Sequence, residues 1–115
     1  MQNEKAVGTI GLGCYVPDKI VTNKDLESIV DTSDEWIKER TGIRERRMVD
    51  PSMATSDLAT RAAWNAIADA GVTVDEIDLI IACTMTPDML FPSIACLVQA
   101  NLRAIRAAAF GVSAG

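Results

Sequence analysis

The sequence predicts an α/β fold, in which strands and helices alternate along the chain. Two unbroken apolar runs, residues 79–83 and 107–112, are typical of strands that are buried on both faces of a parallel sheet. The residues from 92 to about 102, between these runs, are predicted to form a helix. Strands that alternate with helices favour a layered architecture. The 115 residues contain no internal repeat and no linker that would mark a second domain.

The elements expected at the start of the chain are short. Residues 7–12 are interpreted as a strand, whose glycines would let another backbone approach closely. Thr22 or Asn23 then caps a helix that extends to about Val30. Residues 43–49 are basic and partly alternate in polarity, so we expect an irregular strand or one arm of a hairpin there.

Two further helices are predicted from their capping signals. The first begins at Thr32, which opens a T-x-x-E capping box, and ends two residues before Gly42, which suits the left-handed position that follows a helix. The second is capped by Thr55 or Ser56 and ends at Gly71. One face of this second helix consists of small apolar residues suited to close packing, namely Ala59, Ala62, Ala63, Ala66, Ile67 and Ala70.

Composition and charge argue against several classes of protein. The net charge of −5 is unfavourable for nucleic acid, whose phosphates require a basic surface. No apolar run approaches the roughly 20 residues of a transmembrane helix, and no secretory signal is evident, so we expect a cytoplasmic protein without a membrane partner. The three cysteines lack the spacing of a zinc site, so no metal is expected, and Cys83 and Cys96 are interpreted as small buried hydrophobic residues.

The chain contains no histidine, and therefore cannot supply the Cys–His or Ser–His pair that usually activates a nucleophile. Taken alone, the chain is not expected to be a complete catalyst. The last predicted strand leads into Ser113, Ala114 and Gly115, small residues that suit a strand-to-helix turn, yet no helix follows. Native domains seldom leave a core strand uncovered in this way. Residues 1–115 are therefore interpreted as a fragment of one larger domain.

Thr32, Trp36 and Arg40 follow one another at intervals of four residues, which places them along one face of a helix. An indole can stack on adenine, a guanidinium can stack and bind phosphate, and the helix N-terminus near Thr32 would add partial positive charge. This spacing suits a nucleotide-bearing ligand such as coenzyme A (CoA). The structural alternative, which is the commoner outcome by spacing alone, buries Trp36 in the core and pairs Arg40 with an acid such as Glu35, within a salt-bridged surface.

Two blocks of sequence are long enough to indicate a family. They are D-T-S-D-E-W-I at residues 31–37 and R-T-G-I-R-E-R-R at residues 40–47. In order and over almost the whole chain, the sequence resembles the N-terminal part of the 3-oxoacyl-acyl-carrier-protein (ACP) synthase III family, ending just before its catalytic cysteine. Together with residues 40–47, the matching segments are residues 10–17, 21–23, 30–37, 55–59, 78–84 and 91–99.

The resemblance implies a thiolase-like fold, built from two similar α/β halves in a homodimer. It also implies a reaction in which acetyl-CoA, or another short acyl-CoA, acylates a cysteine. Malonyl-ACP then loses carbon dioxide and attacks the resulting thioester, which starts fatty-acid synthesis. No tightly bound cofactor is implied, since the acyl-CoA is a substrate.

The resemblance also implies roles for residues of this chain. The family residues that match Trp36 and Arg40 flank the adenine of CoA, and the one that matches Thr32 contacts it too, so the ligand-binding interpretation becomes the preferred one. The residue that matches Phe91 reaches across the dimer and helps to shape the acyl pocket of the partner. The family cysteine would follow directly after Gly115, and its His and Asn lie far beyond, so none of the three is in this chain.

Two positions depart from the family pattern. Gly111 stands where the family usually has Asp, and Arg103 stands where it usually has Gly. Two alternatives therefore stay open. The chain is a truncated, non-catalytic remnant or dimerising module, or it belongs to a related condensing enzyme that acts on CoA thioesters, such as a 3-hydroxy-3-methylglutaryl-CoA synthase or a secondary-metabolite acyltransferase.

Overall fold

The computed structural model describes residues 5–114, which divide into two compact units. The first unit is drawn from Met1–Tyr15 and Ala54–Gly115, and the second unit is Val16–Met53. The predicted CoA-binding residues belong to the second unit, whereas Phe91 belongs to the first.

The second unit consists of two short strands and two short helices. Strand β1 (Ile20–Thr22) pairs antiparallel with β2 (Glu45–Arg47), and helices α1 (Asn23–Glu27) and α2 (Asp34–Thr41) lie between them in the chain. The predicted basic arm is therefore confirmed as β2, but its partner β1 was not expected.

Thr22 caps α1, as predicted. Its hydroxyl accepts a hydrogen bond from the Asp25 N–H group (3.3 Å), and the Asp25 carboxylate accepts one from the Thr22 N–H group (2.7 Å). This reciprocal pair is a capping box, which satisfies two backbone donors at once. The helix ends at Glu27, three residues before the predicted end at Val30.

The first unit contains a parallel pair of strands covered by helices. Helix α3 (Thr55–Ala70) is followed by a 3-10 turn at Val74–Glu76, strand β3 (Leu79–Cys83), helix α4 (Ile94–Leu102) and strand β4 (Ala108–Val112). Strands β3 and β4 are parallel and in direct contact, and α4 is the crossover helix that joins them. The core consists of Ile94, Val98, Leu102, Ala104 and Ala107. None of the described helices combines the length and apolarity that crossing a membrane requires.

Residues 7–12 do not form the predicted strand; they are irregular backbone against α3. A Cβ atom on Gly11 would lie 2.6 Å from the Ala66 carbonyl oxygen, and one on Gly13 would overlap the backbone of Ala62 and Ala66. The close backbone approach predicted for the glycines of residues 7–12 is therefore confirmed at Gly11, on the small-residue face of a helix rather than beside a strand, but it is wrong at Gly8, where a Cβ atom would meet no atom within 4 Å.

The prediction that β3 is buried on both faces is wrong. Leu79 and Ile81 are exposed, while Ile80 and Ala82 pack against the core between the helices. The reason is that the described sheet has two strands, and helices cover one of its faces. Cys83, on the open face, is accordingly exposed, and Cys96 on α4 is only partly buried.

Candidate functional site

The predicted CoA-binding residues lie on α2 and directly before it. Ser33, rather than Thr32, caps this helix, because its hydroxyl accepts a hydrogen bond from the Trp36 N–H group (3.1 Å). The predicted T-x-x-E box is thus wrong by one residue, since the helix begins at Asp34. Gly42 ends the helix with a φ of 71°, the left-handed conformation predicted for it.

Trp36 lies on the surface of the second unit. Its side chain is 55% exposed, whereas its neighbour Ile37 is buried. The Arg40 Cζ atom lies 5.9 Å from the centroid of the indole ring, within the distance of about 6 Å at which a cation is attracted to an aromatic face. The structural alternative that places Trp36 in the core is therefore wrong, and the indole is accessible to a ligand.

Thr32 precedes helix α2 but lies on the surface beside Trp36. Together with Asp31, Ser33 and Trp36 it lines an open cavity of about 310 Å³. The structure therefore brings Thr32 and Trp36 to one cavity, and Trp36 and Arg40 to one aromatic–cation pair. A continuous helical stripe of all three residues is not formed, because Thr32 lies outside α2.

The charges on α2 leave Arg40 free to bind an anion. Lys38 donates to Asp34 at 2.6 Å, and this is the one ion pair within 4.0 Å among residues 5–114. The hydrogen bonds from Lys38 and from the Asn23 amide hold the pKa of Asp34 below its ordinary value. Arg40 has no carboxylate partner in the part of the chain described, so the predicted alternative of a pair with Glu35 is not formed.

The N-terminus of α2 is less suited to an anion than its sequence predicts. The Asp34 N–H group donates to a Glu27 carboxylate oxygen (2.7 Å), and the Trp36 N–H group is occupied by Ser33. Asp34 and Glu35 add negative charge to the first turn. A phosphate would therefore depend on the Arg40 guanidinium, at the other end of the helix, rather than on the backbone of the first turn.

Asn23 is a residue of this region for which the sequence indicates no role beyond that of a candidate helix cap. It is 1% exposed, and its side chain contacts Asp34, the Ile43 carbonyl oxygen and Arg46. A Thr-Asn pair at the start of a helix is an ordinary capping signal, and nothing in it shows that the asparagine is buried. Its partners are 11 to 23 residues away in the chain, so only the folded structure reveals them.

Phe91 lies in the loop between β3 and α4 and is 87% exposed; Leu90, beside it, is 98% exposed. Leu90 also borders a cavity of about 250 Å³ at the carboxyl ends of β3 and β4. Ligands of open parallel sheets bind at the carboxyl ends of the strands. The cavity is lined by Ala82, Thr84, Pro87, Met89, Leu90, Ser93, Ile94, Gly111, Val112 and Ser113.

Gly111 of β4 lies against the residue that caps α4. A Cβ atom at Gly111 would be 2.6 Å from the Ser93 hydroxyl oxygen, which accepts a hydrogen bond from the Ala95 N–H group (3.3 Å). Any side chain at this position therefore requires the Ser93 hydroxyl to move.

Within residues 5–114, no three His, Cys, Asp or Glu side chains are grouped so that they could hold a metal ion.

Comparisons with known proteins find similar sequences and similar structures that match more than 90% of this chain. Over 110 residues the chain is 61% identical to beta-ketoacyl-acyl-carrier-protein synthase III of Caldanaerobacter subterraneus, a match that covers 96% of this chain and 33% of the relative. The crystal structure of 3-oxoacyl-acyl-carrier-protein synthase III from Aquifex aeolicus superposes with a TM-score of 0.86 at 52% identity, covering 91% of this chain and 34% of that one. No protein-family model matches the chain.

A third match is a priming beta-ketosynthase from the R1128 polyketide biosynthetic pathway. Its crystal structure superposes with a TM-score of 0.87 at 36% identity, covering 92% of this chain and 32% of that one. The chain thus spans about a third of the length of the relatives that it matches.

Proposed function

We propose that this chain, which resembles 3-oxoacyl-ACP synthase III in sequence and has its thiolase-like α/β fold, is the N-terminal third of such an enzyme. In the proposed reaction a cysteine thiolate attacks acetyl-CoA or another short acyl-CoA, forms an acyl thioester and releases CoA. Malonyl-ACP then loses carbon dioxide, and its carbanion displaces the cysteine to give 3-oxoacyl-ACP. The cysteine, histidine and asparagine of this chemistry would lie outside these residues, and the enzyme would be a cytoplasmic homodimer.

Within that enzyme, we assign to α2 the binding of the adenine end of CoA. The observation that carries this assignment is the exposed indole of Trp36 with the Arg40 guanidinium 5.9 Å from its ring centroid. A flat aromatic face beside a cation that has no carboxylate partner within residues 5–114 fits a purine that carries phosphates, because the ring stacks on the base and the cation attracts the anion. Thr32, on the adjacent cavity, supplies a hydroxyl for a polar contact with the nucleotide.

Such a site contributes to catalysis without touching the reacting atoms. The adenine nucleotide of CoA does not change in the reaction, so contacts with it supply binding energy that holds the thioester in place. This is consistent with a segment that contains no histidine.

Phe91 is proposed to fill the subunit interface and to help shape the acyl pocket of the partner, which suits an aromatic side chain that is 87% exposed in the single chain.

The assignment is tested with Trp36→Ala in the complete enzyme and two acyl donors, acetyl-CoA and acetyl-pantetheine, which lacks the adenine nucleotide. Stacking of a base on an aromatic ring is worth about 1–3 kcal/mol, so kcat/KM for acetyl-CoA should fall roughly 5- to 150-fold. The value for acetyl-pantetheine should not change, which makes it an internal control for folding. Unchanged kinetics with acetyl-CoA would exclude the assignment.

The chain offers a matched control in its second tryptophan. Trp64, on α3 in the first unit, is 45% exposed, similar to Trp36. Trp64→Ala should leave the ratio of the two kcat/KM values as it is in the unmodified enzyme. An equal loss of acetyl-CoA activity in both variants would show that removing any surface tryptophan has this effect.

The similarity to the priming ketosynthase supports a second candidate, an acyltransferase of secondary metabolism that uses the same CoA site. The two candidates differ in substrates rather than in α2. Activity with malonyl-ACP of fatty-acid synthesis, compared with malonyl-CoA and with a polyketide carrier protein, discriminates between them.

A further inference from the structure

We propose that Asn23 is a positioning residue for the CoA site: it holds both ends of α2 so that Trp36 and Arg40 present their side chains to the nucleotide. This inference rests on the proposed function of α2. It concerns a residue that contacts neither the proposed ligand nor the reacting groups.

The Asn23 amide links the two ends of the helix. Its two N–H groups donate to the Asp34 carboxylate and to the Ile43 carbonyl oxygen, both at 2.8 Å. Asp34 is the first residue of α2, and Ile43 is two residues beyond the last. One side chain therefore bridges the first residue of the helix and the segment that follows its last turn.

The remaining polar atom of Asn23 fixes the side chain itself. Its carbonyl oxygen accepts a hydrogen bond from the Arg46 guanidinium (2.8 Å), which also donates to the Val21 carbonyl oxygen (3.3 Å). The backbone N–H group of Asn23 donates to the Arg44 carbonyl oxygen (3.3 Å). Because both ends of the amide are occupied and the residue is 1% exposed, it has a single orientation, tied to strands β1 and β2.

Apolar packing alone does not fix α2. Ile37 is its single buried residue, in a helix of two turns. One buried aliphatic side chain leaves the helix able to rotate or slide, and a displacement of about 1 Å can reduce the rate of a positioned substrate roughly 100-fold. Polar contacts therefore help to hold α2: the Glu27 carboxylate accepts from the Asp34 N–H group at one end of the helix, and Asn23 contacts both ends.

The test uses Asn23→Ala in the complete enzyme with the same two acyl donors. We expect kcat/KM for acetyl-CoA to fall roughly tenfold, mainly through KM, while acetyl-pantetheine changes far less. In a Trp36→Ala/Arg40→Ala background, Asn23→Ala should cause no further loss of the preference for acetyl-CoA, since it acts through the two residues already removed. An additive loss, or equal losses with both donors, would overturn the inference.

Further variants separate positioning from folding. Asn23→Asp has the same shape and still accepts from Arg46, but it replaces both donors with an oxygen that repels the Asp34 carboxylate and the Ile43 carbonyl oxygen, so it should reproduce the loss at least as strongly. Asn23→Ser, which buries no charge, serves if Asn23→Ala does not fold. Ser56→Ala removes a buried hydroxyl in the first unit, where Ser56 donates to Asp88 at 2.6 Å. It should lower the melting temperature without changing the ratio of the two donors.

The outcomes distinguish the two proposals. If Trp36→Ala leaves the preference for acetyl-CoA unchanged, the CoA site on α2 fails, and the role of Asn23 fails with it. If Trp36→Ala abolishes the preference but the Asn23 variants only lower the melting temperature, the CoA site stands and the inference about Asn23 is wrong.

Discussion

Arg103 carries backbone strain that a glycine at the same position would not have. It follows α4 with φ 58° and ψ 32°, and among the described residues it is the one non-glycine residue with a positive φ. Its N–H group closes the helix by donating to the Gln99 and Ala100 carbonyl oxygens. This is the left-handed position at which helices usually have glycine, because a Cβ atom crowds the following carbonyl there. An arginine at position 103, where the family usually has glycine, therefore lowers the free energy of unfolding.

Arg103→Gly is expected to stabilise the protein. Relief of the left-handed conformation is worth about 1–2 kcal/mol, less the larger unfolded-state entropy of glycine, so the free energy of unfolding should rise by roughly 1 kcal/mol. Urea denaturation monitored by circular dichroism measures this change. Arg103→Ala is the matched control, because it removes the same side chain but keeps the Cβ atom, and should give little gain. Equal stabilisation by both variants would attribute the effect to the arginine side chain instead of the backbone.

At the scale of the elements, those with local signals were predictable from the sequence. The ends of α2 and α3 were found from Gly42 and Gly71, which both have positive φ, and β3 and β4 were found from their apolar runs. The cap of α2 was misplaced because Thr32 and Ser33 are adjacent hydroxyl residues, and a side chain distant in sequence, Glu27, occupies the first N–H group of the helix.

The prediction of a strand at residues 7–12 is wrong for a different reason. A strand exists only when another strand pairs with it, and pairing depends on distant residues that apolar composition does not specify. The same limit applies to the site. The spacing of Trp36 and Arg40 was readable from the sequence, but the burial of Asn23 and its contacts with Asp34 and Ile43 were not.

The packing of the N-terminal segment on α3 leads to a second stability prediction. Gly13→Ala should lower the free energy of unfolding by about 1–3 kcal/mol, because the added methyl group would overlap the backbone of Ala62 and Ala66, which cannot move without bending the helix. Gly8→Ala is the matched control: a Cβ atom at Gly8 meets no atom within 4 Å, so its effect should be within about 0.5 kcal/mol. Similar losses for both variants would show that the segment is not held against α3.

At the scale of the whole molecule, the two units expose different kinds of surface. The second unit presents an aromatic–cation pair, Trp36 and Arg40, which suits a polar ligand with a flat base. The first unit exposes large apolar side chains on the open face of its sheet, Leu79 and Ile81, and Phe91 on the loop after β3. Apolar side chains exposed in such numbers are typical of surfaces that another part of a protein or a partner covers. The proposed homodimer accounts for Phe91 in this way.

The proposed role of Phe91 is tested by Phe91→Ala in the complete enzyme. A buried aromatic anchor at an interface contributes about 2 kcal/mol or more. Because the homodimer loses one anchor from each subunit, its dissociation constant should rise roughly 1,000-fold, measured by sedimentation or by mass photometry over a dilution series. The same variant should change the preference for acyl-chain length, because the side chain is proposed to shape the partner's acyl pocket. Ile105→Ala is the matched control: Ile105 is 85% exposed, and no role in the interface is proposed for it. A dimer unaffected by Phe91→Ala, with its acyl preference intact, would remove Phe91 from both roles, because an aromatic side chain that fills an interface cannot be truncated without a loss of affinity.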